Sequence, residues 1–182
     1  MKTLVIATVA AVAFVASPAL AKNTMAMKQP MAMKQSMGMR VAAPGFVKMA
    51  ASSDMFEINS SKLARKMAKN QDVQQFAAQM IVDHSKSSTE LMATAKSEGI
   101  SVPAGMMAKH SVMLSRVAAS GADFDSKYVE AQVMAHNEAV ALFSTYARTG
   151  DDPALRAFAV QTLPVLEQHR RMIMMIRSHM MS

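Results

Sequence analysis

The chain has no cysteine and no tryptophan. Without cysteine there is no disulfide staple, no thiolate nucleophile and no cysteine-held zinc or iron–sulfur site. Glycine and proline are scarce, at six each, and β-branched runs are few, which argues against an all-β fold. Beyond the first 21 residues no segment reaches the run of about 18 uncharged apolar residues that a transmembrane helix needs. Nucleophile elbow, phosphate loop and paired catalytic acids are all missing, so no catalytic residue and no organic cofactor is assigned. Acids are outnumbered, 13 against 20 Lys+Arg, but the imbalance is local. Residues 22–40 carry Lys22, Lys28, Lys34 and Arg40 and no acid, whereas residues 41–182 hold 15 basic and 13 acidic residues. The basic character therefore gives little support to nucleic acid as a partner. A cationic segment meeting acidic lipid headgroups is the better electrostatic reading.

What the chain has in excess is methionine, 21 of its 182 residues. This length suits one domain with an appendage. Lys2, an apolar run from Leu4 to Val15, the break at Ser17-Pro18 and the small-residue triplet Ala19-Leu20-Ala21 predict a secretory signal peptide over 1–21, cut after Ala21. The expected compartment is the periplasm.

Residues 25–40 repeat with a period of six: Met-Ala-Met-Lys-Gln-Pro, Met-Ala-Met-Lys-Gln-Ser, Met-Gly-Met-Arg. The period fits no helical face, and residues 22–43 read as a disordered, methionine-rich basic tail. The thioethers of Met25, Met27, Met31, Met33, Met37 and Met39 suit Cu(I), and Ag(I) by the same softness. The competing reading is a low-complexity linker. Of the 21 methionines, Met1 belongs to the signal segment, six sit in the tail and five close the chain at 172–181, leaving nine for the helices.

From residue 44 to 182 the pattern is helical. The first long helix is expected over 45–68, with Phe46, Ala50, Ser53, Glu57, Ser60, Ala64 and Met67 on one seam. The second starts near Asp72 as its cap, carries Val73, Ala77, Met80, His84, Ser87, Leu91 and Ala95, and stops at Gly99. A connection over 99–122 holds a short helix, 107–118. The third long helix opens with Asp123 and Asp125 and runs to 148. The fourth begins at Pro153, is kinked by Pro164, and carries Leu155, Ala159, Thr162, Leu166, His169, Ile173 and Ile176 inward. Two helical hairpins joined by a long connection predict an all-α, ferritin-like four-helix bundle, with a crossover carrying a short extra helix between helices 2 and 3. A plain up-down-up-down bundle is the alternative.

Glu57, His84 and His169 interrupt these apolar seams, and His136 lies on the third long helix four residues from Gln132 and from Val140, which makes one candidate ligand per helix. Counted from the two hairpin turns, Glu57 and His84 lie roughly 20 Å from the first, while His136 and His169 differ by one helical turn in their distance from the second, so all four fall near mid-bundle. Three imidazoles and a carboxylate suit Zn, Fe, Mn or Cu(II). A di-iron site is disfavoured, because it needs Glu-x-x-His pairs and no glutamate here has a histidine three residues on. The competing reading is a hydrogen-bonded polar layer. Met175 and His179, four apart, make a weaker soft-metal candidate. His110 reads as a surface or docking residue.

The elements Phe46-Val47-x-x-Ala50, Phe56-Glu57-Ile58, Asp83-His84-Ser85, Phe124-Asp125-x-x-Tyr128, Gln132-Val133-x-x-His136 and Leu163-Pro164-x-Leu166-x-x-His169 together resemble the bacterial family called domain of unknown function 4142, over about residues 44–177. The resemblance implies an exported, ferritin-like helical fold and no established activity. It also implies that Glu57, His84, His136 and His169 share a role, while the tail lies outside it. The residues point to an exported protein that binds or buffers metal, Cu(I) or another transition metal, under envelope metal or oxidative stress. Exposed methionines can also absorb oxidants as sulfoxides. The alternatives are a non-catalytic envelope stress or interaction protein with a structural polar layer, and a metal-dependent oxidoreductase.

Overall fold

The computed structural model describes residues 41–182. The signal segment and the six tail methionines lie outside the described residues. Five α-helices follow one another: α1 (Ala43–Met67), α2 (Gln71–Ser97), the short α3 (Ala108–Ala118), α4 (Phe124–Thr149) and α5 (Pro153–Met181), with a 3-10 turn at Gly121–Asp123.

The helix ends have local causes. Pro44 occupies the first turn of α1 and Pro153 that of α5, where a missing N–H costs nothing. The expected cap of α2, Asp72, is not the cap. Asn70 is, accepting from the N–H groups of Asp72 at 2.8 Å and Val73 at 3.2 Å. The amide oxygen reaches both donors, while Asp72 already lies inside the first turn. At the other end of α2, Gly99 is left-handed (φ 67°), and Ile100 N–H donates to Ala95 O while Gly99 N–H donates to Lys96 O. That pairing is a Schellman stop, which glycine adopts without steric cost. Asp152 caps α5 through Leu155 N–H. Pro164 does not break α5, which runs on to Met181. Pro164 and the preceding-turn residue Val160 are both exposed, so the carbonyl deprived of its donor lies on the solvent side.

The topology follows from which residues share each core. At one end, Phe46, Val47 and Ala50 of α1 meet Leu91 and Ala95 of α2, Phe143 and Tyr146 of α4, and Leu155, Phe158 and Ala159 of α5. At the other, Phe56 and Ala64 meet Val73, Phe76 and Met80, then Phe124, Tyr128 and Val129, then Ile173. The start of α1, the end of α2, the end of α4 and the start of α5 therefore lie together. α2 and α4 run parallel, and the segment between them traverses the length of the bundle with α3 on its way. That is the crossover arrangement, not the up-down-up-down alternative. α3 packs against α1 and α4. Asp125 locks the α1–α2 turn to the start of α4 by accepting from the N–H groups of Lys69 and Asn70, at 3.1 and 2.8 Å.

Small residues let the helices approach closely. Ser52, Ser53, Ser60 and Ser61 are buried on α1, and Ser61 Oγ lies 2.8 Å from Tyr128 Oη. Gly150, the C-terminal cap of α4, leaves room for the Tyr146 side chain one turn earlier. A Cβ there would stand 2.6 Å from Tyr146 O and 2.7 Å from its ring, and that ring is stacked on Phe46 at 4.0 Å. Gly150→Ala is expected to lower stability by about 1–3 kcal/mol through overpacking. Urea denaturation against a Gly105→Ala control, whose Cβ would meet nothing within 4 Å, checks this.

Candidate metal centre

Between the two apolar cores lies a polar layer, and each long helix contributes to it. Glu57, His84, His136 and His169 are 0–3% exposed. The three imidazoles gather: ring centroids are 5.5–5.8 Å apart, and each ring offers a nitrogen within 4.8 Å of one on each other ring. Phe76 closes the layer edge-on to His136 and His169. Among the described residues, these three form the group of His, Asp and Glu side chains close enough to share one ion.

Each imidazole is held from behind. His84 Nδ1–H donates to Asp54 at 2.8 Å, His169 Nε2–H to Asp83 at 2.8 Å, and His136 Nδ1–H to the carbonyl of Gln132, one helical turn earlier, at 2.9 Å. These bonds fix the tautomers. They leave His84 Nε2, His136 Nε2 and His169 Nδ1 as buried nitrogens with no hydrogen-bond partner. An imidazole whose rear N–H is held by a carboxylate or carbonyl is the arrangement that orients metal-ligating histidines and raises their basicity.

Glu57 stands apart from this trio. Its Oε1 is 3.7 Å from His136 Nδ1, the nitrogen already donating to Gln132, and neither carboxylate oxygen has a hydrogen-bond partner. Glu57 adjoins the cluster without joining its donor set.

Burial sets the electrostatics. It pushes the Glu57 carboxyl up to about 7, against the downward pull of His84. It pulls His136 down to about 3 and His169 to about 4, with the charge of His84 adding to both. Burial also draws His84 down, but the hydrogen bond and charge of Asp54, with Glu57 and Asp83 beyond, outweigh it and leave His84 raised. Two rings thus stay neutral, lone pair available, well below neutral pH.

The donor set fits a transition metal. Metal–nitrogen bonds of about 2.0–2.1 Å put tetrahedral donors about 3.3 Å apart, so ring nitrogens within 4.8 Å of one another need close by at most about 1.5 Å. Three nitrogens leave a coordination position free for a water. Imidazole suits Zn, Cu, Fe and Ni.

The other sequence candidates lie elsewhere. Met175 and His179 are exposed on α5, along a cleft of about 640 Å³ between α2 and α5 that also reaches Asp83, His169 and Met172. His110 is not a surface residue. It is 3% exposed, its Nδ1 is 2.6 Å from Ser52 Oγ, and its ring stacks on Phe56. α3 folds back onto α1 and covers it. Sequence reasoning missed Asp54 and Asp83. The available signals were the three-residue step from Asp54 to Glu57, one face of a helix, and the adjacency of Asp83 to His84.

The fold and this layer define a class: an all-helical bundle with a buried three-histidine cluster at mid-height. The chain belongs to the family described as domain of unknown function 4142, whose sequence pattern matches residues 26–176. The match begins inside the methionine repeat, earlier than the resemblance over 44–177 implied. Two solved structures share the fold. One is described as CopM in the Cu(II)-bound form: TM-score 0.66, 18% identity, covering 78% of this chain and 99% of that one. The other is a DUF305 fragment from Deinococcus radiodurans: TM-score 0.65, 10% identity, covering 75% and 95%. No curated protein sequence matches the chain. Among the described residues no helix is long and apolar enough to cross a membrane.

Proposed function

We propose that this is an exported metal-binding protein that holds one transition-metal ion between His84, His136 and His169 and serves to bind or buffer it. The observation that carries the reading is the three orphaned ring nitrogens, one per helix, all buried and without hydrogen-bond partners. No protein group partners any of them, and a buried polar group left unpaired costs about 1–3 kcal/mol. A metal ion satisfies all three at once. Glu57 stands as the adjacent carboxylate that balances the ion's charge. The Cu(II) named for the structural neighbour makes copper the first metal to test, with Zn(II) second.

Export by the 1–21 segment is part of this proposal. So is the collection of Cu(I) or Ag(I) by Met25, Met27, Met31, Met33, Met37 and Met39, in envelope metal or oxidative stress. The test is equilibrium loading of residues 22–182 and 41–182 with Cu(I) under nitrogen and with Cu(II) or Zn(II) in air. Both versions are expected to retain one Cu(II) or Zn(II), and only the longer to retain additional Cu(I). Retention no greater than that of a His84, His136, His169 triple-alanine control overturns the core site.

A further inference from the structure

The trio is sealed, at 0–3% exposure, so an ion needs a way in. Taking the trio as the metal site, we infer that the α2–α5 cleft is its loading port, and that the port's thioethers favour Cu(I) over Zn(II).

Three observations converge. The first is the order of donors along α5: His169, Met172, Met175 and His179 recur at three- and four-residue steps and all line this cleft. Such spacing places them on one face, over about 15 Å at the helical rise. The series runs from exposed His179 and Met175, through half-buried Met172, to buried His169. It forms a ladder of nitrogen, sulfur, sulfur and nitrogen descending from solvent to the trio.

The second is charge. The cleft is lined by Asp72 and Asp83 and by no Lys or Arg, whereas residues 41–182 as a whole hold 15 basic and 13 acidic residues. A locally acidic mouth concentrates cations. The cleft of similar volume between α3 and α4 carries Lys109, Arg116 and Lys127 against Asp123 and Glu130, and no histidine.

The third is the floor. His169 is hydrogen-bonded through Nε2 to Asp83, which lines the cleft, while its Nδ1 is an orphaned buried nitrogen. One ring therefore belongs to both the cleft and the cluster.

Selectivity follows from donor softness. Imidazole takes Cu and Zn alike, so the trio discriminates little, whereas thioether sulfur takes Cu(I) and serves Zn(II) poorly. An ion stepping down the ladder must use the sulfurs of Met175 and Met172 before it reaches His169.

The test is the double variant Met172→Leu/Met175→Leu, which removes both sulfurs while nearly conserving volume. Cu(I) or Zn(II) is released from a chelator, under nitrogen for Cu(I), and arrival at the trio is followed by real-time NMR of the His136 imidazole. Both ions are diamagnetic, and this signal ignores metal held by the tail. Cu(I) loading is expected to slow by about tenfold or more, the scale of lost local capture, with the same final occupancy and little change for Zn(II). An unchanged Cu(I) rate, or equal slowing of both ions, overturns the port. His179→Gln, an exposed change without risk to folding, is expected to slow both ions, and no effect on either removes the rim from the route. A His136 signal in the unsubstituted chain that responds to neither ion overturns the trio itself, a failure distinct from that of the port.

Discussion

Replacing His136 with alanine is expected to lower the affinity of the chain for Cu(II) or Zn(II) by at least about 100-fold, about 3 kcal/mol at a tenfold loss per 1.4 kcal/mol. The same is expected of His84→Ala and His169→Ala, because the proposed site draws one donor from each ring: the three rings bring nitrogens within 4.8 Å of one another and each carries one orphaned nitrogen. Loss of a rear hydrogen-bond partner costs metal sites about 10–100-fold, and loss of a ligand should cost more. The effects are not additive. Once one imidazole is gone, a second substitution removes little further, as residues acting as a unit do. His179→Ala, on the exposed face of α5, leaves the equilibrium affinity unchanged. Competition against a chelator of known affinity checks each case, with helicity recorded to separate loss of site from loss of fold. A purely structural layer predicts the reverse pattern: single substitutions alter the unfolding midpoint and no metal constant.

Glu57→Gln is expected to stabilise the metal-free protein, and to do so only at neutral to alkaline pH. The Glu57 carboxyl ordinarily titrates at 4.5 and is held at about 7 in the fold, chiefly by burial. The folded chain thus binds this proton more tightly than the unfolded chain. Below pH 4.5 both states are protonated and Glu57 imposes no penalty. As pH rises, the unfolded chain loses its proton first and stability falls. Past about 7 the loss is complete, on the order of 3 kcal/mol at about 1.4 kcal/mol per pH unit. Glutamine keeps the shape and never ionises. Urea unfolding should therefore show the variant more stable by up to about 3 kcal/mol at pH 8 and little changed at pH 4. Bound metal should narrow the gap, since a cation beside the carboxylate offsets the cost of its charge. A variant equally destabilised at both pH values would contradict the burial account. A residue that costs stability at working pH and sits beside three oriented imidazoles fits a functional site better than a packing one.

Much of this was legible in the sequence, for reasons that individual residues show. The seam positions Phe46, Ala50, Val73, Ala77, Met80, Leu155, Ala159 and Ile173 are all buried, because a helix facing a core must repeat its apolar residues at three- and four-residue steps. The level of the histidines was legible because rise per residue converts a count from a turn into a height. The crossover followed from a connection too long for a hairpin. Properties that depend on rotation rather than height were not legible. Glu57 shares the level of the trio but adjoins His136 from its Nδ1 side, and no residue count sets that angle. His110 sits on a short helix whose docking face depends on α1, so Ser52 and Phe56 could not be named in advance. Asp54 and Asp83 were passed over because an acid on a helix is ordinarily solvated. Only the approach of another helix makes each the rear partner of an imidazole. Asn70 displaced Asp72 as cap through a difference of two residues, the usual precision of helix ends.

The most direct test of the central claim is anomalous diffraction at the copper and zinc edges from crystals of the metal-loaded chain. The account predicts one strong peak at mid-bundle, about 2 Å from His84 Nε2, His136 Nε2 and His169 Nδ1, with Asp54, Asp83 and the Gln132 carbonyl still holding the far side of each ring. Metal confined to the methionines or to His179, with the three imidazoles still unbridged between the apolar cores, would contradict it.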